Sequence, residues 1–351
     1  MANRVSAEAA TEFQAKLDEL LVAVDERLAL DAEFHCAGID CDQLGLSRHV
    51  NREFGRLLAA VYEFGLFDRL TEESRWFVSM LSRHGFGPGY FGRMLEAWSV
   101  AIVSNIRLAY ARELAAPLDG LRGNLGLLLE GRRPEPDLPV ESRGLLDLLR
   151  ARRRREAAEY ALALARSGRA VERVVEDVVL PAMRYLGFLW ETGRVSVADE
   201  HAATEVCRYV LYRLFDSVEP SKPNGLKALA SCAPGDEHEL GVEIVGEYLQ
   251  LKGWEVFVVG RSAPPEDILK ALAEFHPHVA FFSATLVANL PAARVLVAEA
   301  RKALPGLGIV LGGAAAVAAA DVLTGPGIVV AAHFAEAATL GVKLAGRDAQ
   351  A

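Results

Sequence analysis

From residue 222 the chain changes its period, and that change restricts the fold more than any other feature. The apolar runs "LKALASCA", "WEVFVVG", "HVAFFSAT", "GIVLGG" and "GIVVAA" alternate with the helical stretches "EHELGVEIVGEYLQLKG", "PPEDILKALAEFHP", "LPAARVLVAEARKALPG" and "HFAEAATLGVKLAG". Strands that are apolar throughout must be covered on both faces, and parallel strands need crossovers of a dozen or more residues. The pattern predicts a five-stranded, doubly wound parallel sheet over residues 222–346, with ligands bound outside the carboxyl ends of its strands.

The preceding sequence reads as helix. In "TEESRWFVSMLSRHGFG" Thr71 is placed as an N-cap, with Glu72 and Ser74 near the first turn and Gly85 as the stop. Pro88 then stands near a helix start, and Met94, Leu95, Trp98, Ile102 and Ile106 follow at helical spacing. Residues 1–130 therefore form an all-helical domain. Residues 131–142, rich in Pro and charge, read as a linker. Residues 143–216 give a compact bundle of about four helices, with Gly168 and Gly193 at the breaks. Arg152, Arg153, Arg154 and Arg155 are assigned to its first helix as a solvated face pairing with Glu156 and Glu159, in preference to a nucleic-acid patch.

Composition removes several classes of function. A chain of 351 residues with 52% apolar residues holds two or three cored domains and is not disordered. Lys plus Arg number 38 against 47 Asp plus Glu, a net charge of −9, so nothing draws the whole molecule to nucleic acid or anionic membrane. The charged N-terminus lacks the apolar core of a signal peptide, and "GIVLGGAAAVAAADVL" is too short and Gly-broken to span a bilayer, so a cytoplasmic protein is expected. Cys36, Cys41, Cys207 and Cys232 are scattered. His35, Cys36 and Cys41 could be half a metal site, but no second pair follows, and ordinary reduced thiols are expected.

The loops at the predicted carboxyl edge carry the chemistry. After the first strand comes Gly235-Asp236-Glu237-His238-Glu239-Leu240-Gly241, after the third Ser283-Ala284-Thr285, and after the fourth Gly312-Gly313-Ala314. None is a phosphate loop. A carboxylate two residues before an imidazole fixes its tautomer and makes the other nitrogen a better metal ligand. One histidine is too few for zinc but suits a metal already held in a macrocycle, where the protein supplies an axial ligand. Small residues in the other loops leave a channel for a long ligand tail. Glu237 and Glu239 read as solvent-facing acids at a helix start.

"DEHELG" resembles the DxHxxG pattern of cobalamin-binding domains, with Asp236, His238 and Gly241 at its defining positions. Ser283 and Gly312-Gly313 fall where that family has its SxL and GG elements, and Thr285 departs from the usual Leu. The resemblance implies a Rossmann-like domain, His238 as the ligand below cobalt, and a displaced nucleotide tail beside Ser283, Thr285 and the glycines. Trp190 is followed, nine residues intervening, by Glu200-His201 in "WETGRVSVADEH". Ser196 and Asp199 fit a capping box, which puts Glu200 and His201 at a helix start. A core Trp and a surface Glu-His pair would explain this plainly. The spacing also resembles the W-x9-EH signature of the helical cap over adenosylcobalamin in light-sensing regulators, which implies that Trp190, Glu200 and His201 line the adenosyl pocket.

Two functions share such a fold: a corrinoid methyl carrier and an adenosylcobalamin photoreceptor. Carriers typically follow DxHxxG with Lys-Asn, absent here, so the photoreceptor is preferred. Its light-driven Co–C cleavage would change domain or subunit contacts without enzymatic turnover. Repressors of this kind resemble MerR proteins at the N-terminus. Residues 1–140 show no such pattern, so no direct nucleic-acid contact is expected; a homo-oligomer and an unidentified protein partner are. The histidine that follows the Trp in those repressors is Glu191 here. The layout is similar to that of photocobilins, which implies a globin-like N-terminal domain with biliverdin as second chromophore and Arg83, His84 and Tyr90 as candidate contacts. A plain helical core, a haem or no second ligand are the alternatives there. His333 and Glu336 are read as a helix start or a corrin-edge contact.

Overall fold

The computed structural model describes residues 5–35, 41–87, 89–130 and 134–346, and the chain divides into compact units at residues 1–133 and 134–351. Among its described residues the first unit has helices alone: α1 (Ala7–Ala15), α2 (Leu17–His35), α3 (Cys41–Phe64), α4 (Phe67–Arg83), α5 (Tyr90–Asn105), α6 (Leu108–Gly123) and α7 (Leu125–Glu130). Thr71 is not an N-cap. Gly65, at φ +71°, ends α3, and α4 begins at once, four residues before Thr71, with the Phe67 ring 6.4 Å from Tyr62. Gly85 does follow the end of α4, at φ +82°. Pro88 and the side chains of His35, Cys36 and Cys41 lie outside the described residues.

The core of this unit is aromatic. Trp98 is fully buried, tilted against Phe13 and Phe54 at 6.1 and 6.4 Å, and Phe54 meets Phe77 and Phe91 edge to face. Gly55 on α3 makes room, since a Cβ there would lie 2.7 Å from the Trp98 ring. In an open helix Gly→Ala gains about 1 kcal/mol. Here the ring is hemmed in, and overpacking costs about 1–3 kcal/mol. Gly55→Ala is therefore expected to lower the melting temperature, whereas a rise would show that Trp98 yields freely.

The second unit opens with a helical bundle: α8 (Val140–Arg150), α9 (Arg154–Arg166), α10 (Val171–Val174), α11 (Leu180–Glu191) and α12 (Val197–Asp216). α10 runs into α11 through one wide π turn at Val175–Val179, so together they make one long helix. Pro181, in the first turn of α11, has no N–H to donate, and the buried Ser142 hydroxyl donates to the Asp177 carbonyl at 3.2 Å. The segment read as linker thus ends inside the bundle. Leu138 is buried, α8 begins at Val140, and Glu135 accepts a hydrogen bond from the Tyr185 hydroxyl while pairing with Arg194 at 3.5 Å. Gly168 and Gly193 stand at the helix breaks with φ of +98° and +71°.

The arginine run does not lie on one helix. Arg152, at φ +58°, turns the chain between α8 and α9 and pairs with Asp199. Arg153 pairs with Glu156 at 3.1 Å, Arg154 lies over the Tyr209 ring, and Glu159 instead meets Arg166 and Arg213.

Five strands follow: β1 (Lys227–Cys232), β2 (Glu255–Gly260), β3 (Val279–Ser283), β4 (Gly308–Gly312) and β5 (Ile328–Val330). They pair in the order β2-β1-β3-β4-β5, all parallel, with Ala228 opposite Val256 and Val279. The crossovers are α13 (Leu240–Leu251), α14 (Pro265–Phe275), α15 (Leu290–Ala303) and the short α16 (Ala314–Ala318) with α17 (Ala320–Leu323); α18 (Phe334–Leu344) closes the domain. Chain order reverses between β1 and β3, and the loops at their carboxyl ends open there. One apolar core joins the bundle to the face of the sheet carrying α13 and α18, running from Leu145 and Val178 through Val210 to Ala230, Leu249 and Phe281. Among the described residues no helix is long and apolar enough to cross a membrane.

Candidate functional site

β1 ends at Cys232, and Gly235 turns the chain at φ +82° so that Asp236 points back beneath the loop. Asp236 is buried, with 1% of its side chain exposed, and every hydrogen bond it accepts orders the site. Its Oδ1 takes the His238 backbone N–H at 3.0 Å and faces His238 Nδ1 at 2.8 Å, while Oδ2 takes the Thr285 N–H from the loop after β3. With Nδ1 engaged, Nε2 is the free nitrogen of a ring whose side chain is 53% exposed. The loops are stitched by backbone. Ala233 N donates to Ser283 O at 2.8 Å, Ala284 N donates to Gly312 O at 2.9 Å, and the Ala284 carbonyl accepts from Ala315 and Ala316. Ser283 and Thr285 stand half-exposed on either side of buried Ala284.

The glycines differ in kind. Gly313 sits at φ +92°, and a Cβ there would lie 2.4 Å from the Ala284 carbonyl oxygen, so the protein itself requires glycine. Among the described residues, and leaving aside its own helical turn, Gly241, in the first turn of α13, has no atom within 4 Å of the point a Cβ would occupy, and beyond its chain neighbours Gly312 has only the Ala331 carbonyl at 3.9 Å. Those two leave open space at the carboxyl edge.

Burial pushes the Asp236 carboxyl up, but hydrogen bonds from the His238 ring, Thr285 N and His238 N outweigh it and hold it below the usual range. The Asp236 hydrogen bond raises His238 against the effect of burial, and the charges of Asp236, Glu200 and Glu237 add to it. In the unliganded protein the Asp236 contribution is present above the carboxyl's ordinary value of about 4 and lost as pH falls below its lowered value. The His238 contribution is present below about 6.5 and lost as pH rises through its raised value. The pair therefore steadies the loop most between about pH 4 and 6.5, and hydrogen exchange of residues 236–241 is expected to be slowest there. Protection factors that do not fall on leaving this window, toward lower or higher pH, would contradict the pairing.

The bundle supplies the facing surface. Ser196 caps α12: its hydroxyl oxygen accepts from Asp199 N at 3.1 Å and its hydroxyl donates to Asp199 Oδ2 at 2.7 Å. This presents Glu200 in the first turn and His201 directly after it, at the helix start that the spacing predicted. Glu200 accepts from Thr204 Oγ1 at 2.8 Å, with its Oε2 3.7 Å from His201 Nε2. His201 is 74% exposed, and Trp190 is half-buried near the end of α11. The charge of Glu200 acts on His238, so the first turn of α12 and the loop after β1 share one field.

Residues 226–342 match the family profile described as "B12 binding domain", and residues 142–214 match a second profile with the same description. The second unit is a B12-binding module. Over 113 residues the chain is 34% identical to the HTH-type transcriptional repressor CarA of Myxococcus xanthus, covering 32% of this chain and 37% of that one. Over 147 residues it is 29% identical to the HTH-type transcriptional repressor CarH of the same organism, covering 41% and 48%. The chain thus spans less than half the length of these repressors. Over 143 residues it is 24% identical to dimethylamine corrinoid protein 1 of Methanosarcina acetivorans, covering 40% and 67%. The solved monomethylamine corrinoid protein of Methanosarcina barkeri shares its fold at a TM-score of 0.50 and 16% identity, covering 57% of this chain and 96% of that one.

The residues of the B12-binding module fit such a group. A single imidazole with a free, exposed nitrogen and a buried carboxylate behind it suits a metal whose other positions a macrocycle fills. Among the described residues no cluster of three or more His, Cys, Asp or Glu could hold a bare ion instead. Asp236, His238, Thr285, Ser283 and the two glycine loops meet at one edge, and Glu200 faces them. His333 and Glu336 lie at the start of α18, where Glu336 accepts from Ala332 N at 2.8 Å, a helix-start role.

Other expectations change. Glu239 is not solvent-facing: its side chain is 14% exposed, and it pairs with Arg208 of α12 and with Arg261 at 3.3 Å. Glu237 is 61% exposed, yet it accepts from Ser262 and pairs with Arg261. Buried Asn289, whose side chain donates to Gly235 O at 3.3 Å, was not foreseen, because its partner lies 54 positions away. Cys207 and Cys232 are buried thiols pushed up to about 12 by desolvation, unsuited to nucleophilic work. In the first unit, Arg83 and His84 are exposed at the end of α4, whereas Tyr90 is buried with its hydroxyl bonded to Ser47.

Proposed function

We propose that the protein is an adenosylcobalamin-dependent light sensor in which His238 would hold the cobalt. The observation that carries this reading is the Asp236–His238 pair at the sheet's switch point, within the field of Glu200 at the capped start of α12, which also bears His201. Bound adenosylcobalamin would supply a cobalt–carbon bond that light can break. Asp236 orients the imidazole and stays charged; Trp190, Glu200 and His201 would line the pocket for the adenosyl group. Ser283, Thr285, Gly312 and Gly313 border the groove for the nucleotide tail, and Gly241 leaves clearance at its mouth.

The names of the repressor relatives support a regulatory role over turnover, with the output read as altered domain or subunit contacts, including a change of homo-oligomeric state. The same names make DNA a partner to test against the sequence expectation, and a mobility-shift assay on unliganded and loaded protein distinguishes the two. The corrinoid relatives favour a second reading, a methyl carrier. For biliverdin we retain the α4–α5 connection, with Arg83, His84 and Tyr90, as the region to probe.

The experiment is an absorption spectrum of protein loaded in the dark with adenosylcobalamin, with and without biliverdin, before and after green or red light. The reading predicts cobalamin uptake and conversion by light to a stable new species. Uptake without photoconversion, together with methyl transfer from methylcobalamin to a methyltransferase partner, would establish the carrier. A red-absorbing band that appears only with biliverdin would add the second chromophore.

A further inference from the structure

We infer that Arg208 is a positioning residue for the His238 loop: it clasps the helix that carries Glu200 and His201 to the acid beside His238. The inference rests on the cobalamin reading for its consequence, but its geometry stands alone.

Arg208 lies two turns along α12 from Glu200, next to fully buried Cys207, with 28% of its side chain exposed. One guanidinium reaches three carboxylates. Nη1 meets Glu205 at 2.8 Å on its own helix, Nε meets Glu243 at 3.1 Å on α13, and Nη2 meets Glu239. Glu239 occupies the position directly after His238 and directly before α13. Arg261, from the loop after β2, meets the same Glu239 oxygen, Oε1, at 3.3 Å and pairs with Glu237, directly before His238, at 3.5 Å. Both neighbours of His238 are thus anchored by cations, and Arg208 is the one that comes from the bundle.

An exposed ion pair contributes little to stability because water screens it and its side chains lose entropy. This one differs in two ways. Glu239 is only 14% exposed, so screening at that arm is weak. Removal of the guanidinium also leaves Glu205, Glu239 and Glu243 facing one another, and like charges one helical turn apart on α13 repel. The loss would push α12 and the start of α13 apart at the end where His238 sits. At the far end of α13, Lys252 still pairs with Glu172 at 3.8 Å, so the bundle would open about that end rather than detach. The spacing between the Glu200 shelf and the His238 imidazole is what a corrin ring between them would read.

Arg208→Gln keeps the stem and removes the charge; Arg208→Lys restores a charge without the fork. In the unliganded full chain, hydrogen exchange at residues 236–243 and the rate of His238 acylation by diethyl pyrocarbonate are expected to rise in Arg208→Gln, with exchange of α8 and α9 as the reference for global stability. Cobalamin affinity is expected to fall about tenfold, the range for loss of a partner behind a metal ligand. The His-ligated absorption band should weaken at saturating cobalamin, and Arg208→Lys should recover part of each effect. Should Arg208→Gln fail to fold, Glu243→Gln removes one arm of the clasp and is expected to show the same changes to a smaller degree. Unchanged exchange and acylation at 236–243 would overturn the clasp. If wild-type protein takes up no cobalamin while those two rates still rise, the clasp stands and the cobalamin reading falls.

Discussion

His238→Ala is expected to leave the unliganded fold intact and to remove the His-ligated cobalamin spectrum. The imidazole is half-exposed and packs into no core, so its loss creates no cavity; what disappears is the one free nitrogen aimed out of the carboxyl edge. Loss of a partner behind a metal ligand costs roughly 10–100-fold in affinity, so loss of the ligand itself should cost at least that. Any cobalamin that remains bound would keep its own base on cobalt, and the spectrum would report that form. Asp236→Asn is the graded companion. It leaves the imidazole in place, weakens the hold on its tautomer, and should fall between wild type and His238→Ala. Titration calorimetry with a spectrum at each end point checks the order, and an unchanged His238→Ala spectrum would defeat it.

The second large effect separates two glycines. Gly313 combines a backbone conformation nearly reserved for glycine, φ +92° and ψ 156°, with a Cβ position 2.4 Å from the Ala284 carbonyl oxygen. The backbone strain alone costs about 1–3 kcal/mol, and the carbonyl cannot retreat because it accepts from Ala315 and Ala316. Gly313→Ala should therefore lower the melting temperature of the unliganded protein and widen the groove between the β3 and β4 loops. Gly241→Leu should do the reverse. Among the described residues nothing outside its own helical turn lies within 4 Å of the Cβ site, and the residue already sits in a helical turn, so the fold should keep its stability while cobalamin uptake falls sharply. Thermal melts paired with cobalamin binding decide the matter; a Gly241→Leu variant that binds normally would show that the open space serves no ligand.

The doubly wound sheet was legible because its strands are apolar on both faces and its crossovers are long enough to be helices. All five apolar runs became strands, and the order β2-β1-β3-β4-β5 puts the three unusual loops at one edge. The Asp236–His238 pair was legible for a local reason, since two residues of loop suffice to bring a carboxylate to an imidazole. Likewise Ser196 and Asp199 could be read as a cap. What stayed hidden depends on distant partners. Glu239 looked like a solvated acid because the cations that bury it, Arg208 and Arg261, lie 31 positions before and 22 after in the chain. Thr71 resembled an N-cap, but burial of Leu70 and the Phe67–Tyr62 contact start α4 earlier. The arginine run looked helical until Arg152, in a left-handed conformation, turned the chain toward Asp199.

The most direct test of the central claim is the electron paramagnetic resonance spectrum of the reduced, cob(II)alamin-loaded protein made with ordinary and with 15N-labelled histidine. If His238 Nε2 is the axial ligand, each cobalt line splits into a triplet with 14N and a doublet with 15N, and the change vanishes in His238→Ala. A splitting that ignores the histidine label would mean that cobalamin keeps its own base, and that the Asp236–His238 pair does not hold cobalt.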